Sequence, residues 1–288
     1  MNLKNKSAIV TGGSRGIGRG IALRLAREGV KVAIVARTSE EVFATVEMIK
    51  KNGGEAIGLI GDVSNWNDVQ KIVEETVRKF STVDILINNA GIQKPIGLFQ
   101  NVDIKEWIRN FEVNLFGAAM FCKAVLPLMI EKRNGKIINL SGGGATYPRP
   151  YFSAYSVSKT AIVRFTEILA EEVKDYNIHV NAIAPGAINT RMLEEVLEAG
   201  ELAGKKELEE AITRAVKGGS PLEIVVELAL FLASEESDGI TGKLISAPWD
   251  PWKNEAFIEK LKVDKDIAVL RRIDDKTFFK KMKILNAI

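Results

Sequence analysis

The sequence predicts an α/β protein: a doubly wound parallel sheet of seven strands, flanked by helices and followed by a C-terminal extension. Three observations carry that expectation. Short runs rich in β-branched residues alternate with longer segments of helical period, the sign of parallel strands joined by crossover helices. The length of 288 residues fits one large α/β domain with an appendage. A composition of 46% hydrophobic and 27% charged residues is that of a globular protein, and it excludes disordered, collagen-like and fibrous chains.

The elements follow in order. Residues 7–11 read as the first strand, and apolar residues three and four apart over 16–28 give the first helix. The same alternation yields strand 30–36 and helix 39–51, strand 56–61 and helix 67–80, then strand 84–88 and a long helix over 103–130. Strand 135–140 and helix 154–176 come next, then strand 178–183, helix 222–233 and strand 243–246. Right-handed crossovers are expected throughout. Residues 188–219, rich in Glu, Leu and Lys, break the rhythm beyond the sixth strand, where ligands sit in such sheets. They read either as a lid or as a surface helix pair. The second departure is the tail after Ser246, which begins Ala247-Pro248-Trp249-Asp250-Pro251-Trp252.

Several function classes drop out. The 40 Lys and Arg against 37 Asp and Glu give +3 with both signs mixed, so no nucleic-acid footprint follows. Cys122 is the single cysteine, so no intramolecular disulfide is possible, and an unpaired thiol fits a reducing, cytoplasmic setting. No signal peptide and no run of ~18 consecutive apolar residues is found. His179 is the single histidine and falls inside a strand; with one cysteine it cannot build a structural zinc site, and a serine-hydrolase triad has no base. No metal is expected. From Asn254 onward nine Lys or Arg stand against six Asp or Glu, and Phe278, Met282 and Leu285 fall at helical spacing between lysines. Such a helix packs its apolar stripe on its own or a partner subunit; the alternative is an acidic membrane surface.

The chemistry-bearing motifs fall at the expected strand ends. Between first strand and first helix stands Thr11-Gly12-Gly13-Ser14-Arg15-Gly16-Ile17-Gly18. Glycines let the backbone approach a pyrophosphate, and the helix N-terminus offers free N–H groups and a positive dipole end. After the second strand comes Ala36-Arg37, with no acid at the strand end and a second cation, Arg15, in the glycine loop. Two cations and no carboxylate favour NADP(H) over NAD(H). Tyr155 and Lys159 lie four apart and share a helix face; of Tyr147, Tyr151 and Tyr155, only the last has a lysine four residues on. A phenol beside an ammonium is expected to titrate below its ordinary value of ~10 and to suit general acid/base work on an alcohol or carbonyl oxygen.

With TGxxxGxG in place of GxGxxG, Asn88-Asn89-Ala90-Gly91 after the fourth strand, and Tyr155-Ser156-Val157-Ser158-Lys159, residues 3–246 resemble the classical short-chain dehydrogenase/reductase (SDR) family. The resemblance implies a single Rossmann-type domain over 1–250 that binds the dinucleotide and carries catalysis. Residues 251–288 form the extension, packed on the domain or reaching over a neighbouring subunit. The family pattern implies that Gly12, Ser14, Arg15, Gly16, Ile17 and Gly18 cradle the cofactor and that Arg37 meets its adenosine end. It implies adenine contacts from Asp62 and Val63, although alone Asp62 is equally a helix cap or turn acid. Asn89, Ala90 and Gly91 would line the cofactor, and Pro185, Gly186, Ile188 and Thr190 would approach its nicotinamide end; Thr190 also suits a helix N-cap. Ser141 would orient the substrate carbonyl, Tyr155 would donate the proton, and Lys159 would bond the nicotinamide ribose. Asn114 would hold a water that extends the relay.

The family expectation is an NADP(H)-dependent oxidoreductase for a small carbonyl or alcohol, assembled as a homodimer or homotetramer. Acyl thioesters, sugars, polyols and secondary metabolites remain open as substrates, with Tyr147, Pro148, Arg149 and the Met192 segment expected as pocket walls. The alternatives are a catalytically idle dinucleotide-binding regulator and a reductase held at a membrane by the basic tail. The chain departs from the family after Ile240-Thr241-Gly242-Lys243-Leu244-Ile245-Ser246, where Ala247 to Trp252 replace the usual ending.

Overall fold

The computed structural model describes residues 2–274. Seven strands, β1 (Ser7–Thr11), β2 (Lys31–Ala36), β3 (Ala56–Ile60), β4 (Ile85–Asn88), β5 (Gly135–Leu140), β6 (Ile178–Ala184) and β7 (Leu244–Ser246), form one sheet in the order β3-β2-β1-β4-β5-β6-β7. Every neighbouring pair is parallel. The order reverses direction between β1 and β4, and there the carboxyl ends of the strands open a crevice.

Two apolar layers cover the sheet. On one face, α1 (Gly16–Arg27) and α2 (Ser39–Lys51) pack Ile21, Leu25, Val42 and Ile49 beneath β1 and β2. On the other, α3 (Trp66–Phe80) contributes Val69 and Ile72. The central strands, β1, β2, β4, β5 and β6, are buried on both faces, which is why they read as continuous apolar runs with little alternation.

The long helix expected over 103–130 is not uniformly α-helical. α4 (Ile104–Phe111) passes into a π-helical turn, Glu112–Phe116, before α5 (Gly117–Glu131) resumes. The cause is local: the Asn114 carboxamide accepts from the Ile92 N–H at 2.8 Å and donates to the Ile92 carbonyl at 2.9 Å, fastening the wide turn to the segment after β4. By length and mean hydropathy the run 104–131 would suffice to cross a membrane, although it holds no long uninterrupted apolar stretch. Here it is a core element, packing Phe121, Cys122, Val125 and Met129 against the sheet. Burial pushes the Cys122 thiol up to about 12, so it serves as a small apolar residue.

α6 (Ser153–Val173) packs against α4 and the π-helical turn, and the insertion after β6 is a helix pair, α7 (Arg191–Ala199) and α8 (Lys205–Lys217). Phe152, Tyr155, Leu193, Val196, Ala203 and Ala211 form a third apolar cluster that seats this pair on the start of α6. α9 (Leu222–Ala233) returns to the face of α1. His179 is buried in β6, with Nε2 accepting from the Gly239 N–H at 3.0 Å; burial, reinforced by Lys136, lowers its pKa to about 4.

The tail holds an element the sequence reading passes over, α10 (Glu255–Val263). The described part of the extension packs on its own domain. Trp252 is buried against Phe231, and its Nε1 donates to the Ala247 carbonyl at 3.0 Å. Leu261 is buried in the same layer. Lys243 Nζ donates to the carbonyls of Asp264 and Ile267, and the Leu244 N–H to Ala268 at 2.7 Å, so the chain covers the outer edge of β7. Glu167 accepts from the Leu270 N–H at 2.6 Å and from Arg271. The amphipathic run around Phe278, Met282 and Leu285 lies outside the described residues.

Truncating Trp252 to Ala removes this anchor and is expected to cost about 3–5 kcal/mol, read as a drop in the denaturation midpoint. A loss below about 1 kcal/mol would show that the extension contributes little to the domain.

Candidate active site

A cleft of about 950 Å³ runs along the carboxyl ends of β1, β4, β5 and β6. At one end the glycine loop carries Gly12 in the left-handed region (φ +61°) and brings Gly18 against the Gly12 carbonyl and the Asn89 side chain, leaving no room for a Cβ at 18. Arg15 stands at the N-cap of α1 without a side-chain cap, and the first turn holds no acid, so the N–H groups of α1 face the cleft uncapped. Asn89 fixes this loop, its Nδ2 donating to the carbonyls of Thr11 and Gly12 at 3.0 and 3.1 Å. The Thr11 hydroxyl in turn accepts from the Asn89 and Ala90 N–H groups.

Beside the glycine loop a carboxylate joins the two cations read from the sequence. Glu41, in the first turn of α2, lines the same cleft, accepts from the Ser14 hydroxyl at 3.0 Å and pairs with Arg15 at 3.2 Å. This acid comes from the helix, four residues after Arg37, and not from the strand end. Arg37 lines this end too and is exposed. Asp62 shapes a turn, accepting from the Ser64 N–H at 2.9 Å and hydroxyl at 2.7 Å, and pairs with Arg109 at 2.6 Å. Burial alone would raise its carboxyl; the Ser64 and Arg109 bonds hold it below the ordinary range. Val63 lines the cleft beside it.

The catalytic candidates converge at the middle. Lys159 is 3% exposed, and its Nζ donates to the Leu140 carbonyl, the last of β5, at 2.8 Å. Burial lowers its pKa to about 8. Nζ lies 5.7 Å from the centroid of the Tyr155 ring. The Tyr155 phenol does not sit below its ordinary range, contrary to the sequence reading. Burial pushes it up, and the cation that opposes burial is Arg149. Ser141 lines the cleft, but its hydroxyl donates to the Lys159 carbonyl at 3.1 Å.

Asn114 stands behind the cleft instead of lining it. Its Nδ2 also lies 2.8 Å from Asn110 Oδ1 and 3.0 Å from Ser158 Oγ, so its two hydrogens are shared among three acceptors and the carboxamide is committed within the protein. Of the cofactor candidates, Gly12, Ser14, Arg15, Gly16 and Ile17 line the cleft, whereas Gly18 packs behind it. Ala90 and Gly91 line it after β4, and Pro185, Gly186, Ile188 and Thr190 after β6. Thr190 serves both readings, since its hydroxyl also accepts from the Met192 N–H at the start of α7. Tyr147, Arg149 and Met192 form walls as expected; Pro148 does not border the cleft. Glu195 of α7 also borders it, with one buried carboxylate oxygen lacking a hydrogen-bond partner among the described residues.

The cleft fits a dinucleotide in three respects: the loop cradle that a Cβ would fill, the uncapped helix start, and a buried ammonium with donors to spare. Among the described residues no group of three or more His, Cys, Asp or Glu gathers where a metal would sit. A glycine cradle at the switch point with a tyrosine and a buried lysine facing it defines a dinucleotide-dependent oxidoreductase.

Comparison with known proteins agrees. The short chain dehydrogenase profile matches residues 6–201. A 3-oxoacyl-[acyl-carrier-protein] reductase of Thermotoga maritima is 34% identical over 247 residues, 85% of this chain and 97% of that one. Glucose 1-dehydrogenase 2 of Bacillus subtilis is 35% identical over 243 residues, 84% and 92% of the two chains. Among solved structures, NAD+-bound xylitol dehydrogenase superposes with a TM-score of 0.80 at 28% identity, covering 85% of this chain and 98% of that one. Levodione reductase gives 0.79 at 27% identity, covering 87% and 98%. The chain belongs to the short-chain dehydrogenase/reductase family, oxidoreductases that act on a C=O or CH–OH group.

Proposed function

We propose that this protein is an NADP(H)-dependent reductase of a small carbonyl compound, or dehydrogenase of the matching secondary alcohol, with Tyr155 as its general acid/base. The observation that carries the reading is the convergence of Tyr155, Lys159 and Ser141 at the middle of the cleft that the glycine loop closes at one end.

A bound reduced nicotinamide supplies the hydride that adds to the carbonyl carbon. The carbonyl oxygen takes its proton from the Tyr155 hydroxyl, while the Ser141 hydroxyl, turned from the Lys159 carbonyl, donates to the same oxygen and orients it. With a dinucleotide bound, the Lys159 ammonium would hold its ribose through the donors that Leu140 leaves unused, and its charge would stabilise the phenolate at Tyr155. Asn114 acts through position: its four bonds hold the π-helical turn, Ile92 and Ser158 in register behind the lysine. In the oxidative direction the Tyr155 oxygen takes the proton back.

Arg15 and Arg37 support a 2′-phosphate at the adenosine end, and Glu41 opposes it. On this reading the arginines prevail once Glu41 releases Arg15. The buried single thiol supports a cytoplasmic setting. Ile104, Ile108 and Phe116, each about half exposed along one helical run, support a homodimer or homotetramer.

Tyr155→Phe should lower kcat for dinucleotide oxidation with a carbonyl panel by at least a hundredfold, within the ~10²–10⁴ range of a lost acid, while dinucleotide affinity stays within about threefold. Retained turnover would remove Tyr155 from the chemistry. Glu41→Gln should tighten NADPH relative to NADH by roughly tenfold in a fluorescence titration, because a carboxylate beside the 2′-phosphate is removed and Arg15 is freed. Tighter binding of NADH than NADPH by the unaltered chain would overturn the cofactor preference.

A further inference from the structure

Arg149 stands in the loop between β5 and α6, six residues before Tyr155. A side chain at Gly142 would run into the Tyr155 hydroxyl. One at Gly143 would meet the Arg149 guanidinium at 3.6 Å and the Tyr147 hydroxyl at 3.7 Å. Two successive glycines thus leave room along one stretch of loop for the Tyr155 hydroxyl, the guanidinium and the second phenol, and all three side chains line the cleft.

The guanidinium is held firmly. It lies 3.8 Å from the centroid of the Phe152 ring and donates through Nε and Nη2 to the two oxygens of Glu207, at 2.6 and 2.8 Å. Only 12% and 22% of the two side chains are exposed. Glu207 belongs to α8, and Tyr151 packs against Gly204 just before that helix. The insertion is therefore clasped to the loop that carries Arg149. Glu210 and Arg214, three and seven residues beyond Glu207, line the cleft from the same helix face. From the loop after β7, Trp249 reaches the cleft with most of its surface exposed.

A shielded ion pair costs desolvation, and apolar residues of similar volume are often no worse for stability. A wall meant for an acyl chain gains nothing from one. In that pairing Arg149 keeps both hydrogens of Nη1 and one of Nη2, and each Glu207 oxygen keeps a lone pair, which suits hydroxyl groups flanking a carbonyl: an O–H donates to Glu207 and a hydroxyl oxygen accepts from Arg149. The exposed indole offers a flat apolar face for the C–H side of such a molecule. Resting on the oxidoreductase reading above, we propose that Arg149 and Glu207 are the substrate-reading residues, and that the substrate is a small polyhydroxylated carbonyl compound, a keto sugar or its polyol.

The test measures kcat/KM with the reduced dinucleotide for a keto sugar, an acyl thioester and an aliphatic ketone of similar size. It uses the full chain and its Glu207→Gln and Arg149→Met variants, with dinucleotide binding by nicotinamide fluorescence reporting that each is folded. The full chain should prefer the keto sugar by at least about tenfold, and each variant should lose most of that preference, chiefly through KM, because a polar-reading site discriminates against partners that leave it unpaired. Preference for the ketone or the thioester by the full chain, or an unchanged preference in folded Glu207→Gln, overturns the proposal and leaves the oxidoreductase reading standing. No turnover of any compound counts against that reading itself and takes this proposal with it.

Discussion

The site depends on a buried ammonium. Lys159 sits at the sheet's carboxyl edge with 3% of its surface exposed and bonds a main-chain carbonyl instead of a carboxylate. An uncompensated charge there is tolerated only where its remaining donors have work to do. Room for that work is built in: a side chain at Gly91 would stand 3.4 Å from Lys159 Nζ and 3.1 Å from Asn114 Oδ1. The bond to Leu140 fixes α6 against β5, and through α6 it fixes Tyr155. The π-helical turn at Asn114 braces the same helix from behind through Ser158.

Around that charge the cleft is electrostatically divided. Arg15 and Arg37 stand beside the glycine loop, with Glu41 bonded to Ser14 and Arg15, and Arg149 with Glu207 borders the cleft on the side of Tyr155. The opposing acids keep Arg15 and Arg149 placed. Apolar packing decides where these groups can stand. The cluster of Phe152, Tyr155, Leu193 and Val196 seats α7 and α8 on the catalytic helix, so the insertion is a clasped wall as much as a surface pair.

Much of this was legible in the sequence. All seven strands fall within a residue of their expected bounds, because strands buried on both faces leave uninterrupted apolar runs. The glycine loop, Asn89 to Gly91 and the Tyr155–Lys159 spacing were legible because backbone approach and helix periodicity constrain residue type locally. The π-helical turn was not, since Asn110 and Asn114 lie four apart as in an ordinary α-helix and only the contact with Ile92 widens the turn. The Tyr155 phenol was read with the wrong sign because a neighbouring lysine is visible in a sequence and burial is not. Glu41 was not legible, because it meets Ser14 and Arg15, 27 and 26 residues away, only through the packing of α2. Arg149 and Glu207 are 58 residues apart, and nothing local pairs them. The anchoring of the extension by Trp252 and by the cover it gives β7 was not legible either, since the partners Phe231 and Ala268 are fixed only by the fold.

The central claim is that Lys159 is the charge on which dinucleotide engagement turns. Dinucleotide affinity measured by fluorescence between pH 6.5 and 9.5, for the native chain and Lys159→Met, tests it most directly. Burial sets the Lys159 pKa at about 8, so the native chain should lose affinity as pH rises through that value and the ammonium gives up its proton. Lys159→Met should bind more weakly and show no such break. The same pH dependence in both proteins would contradict the account.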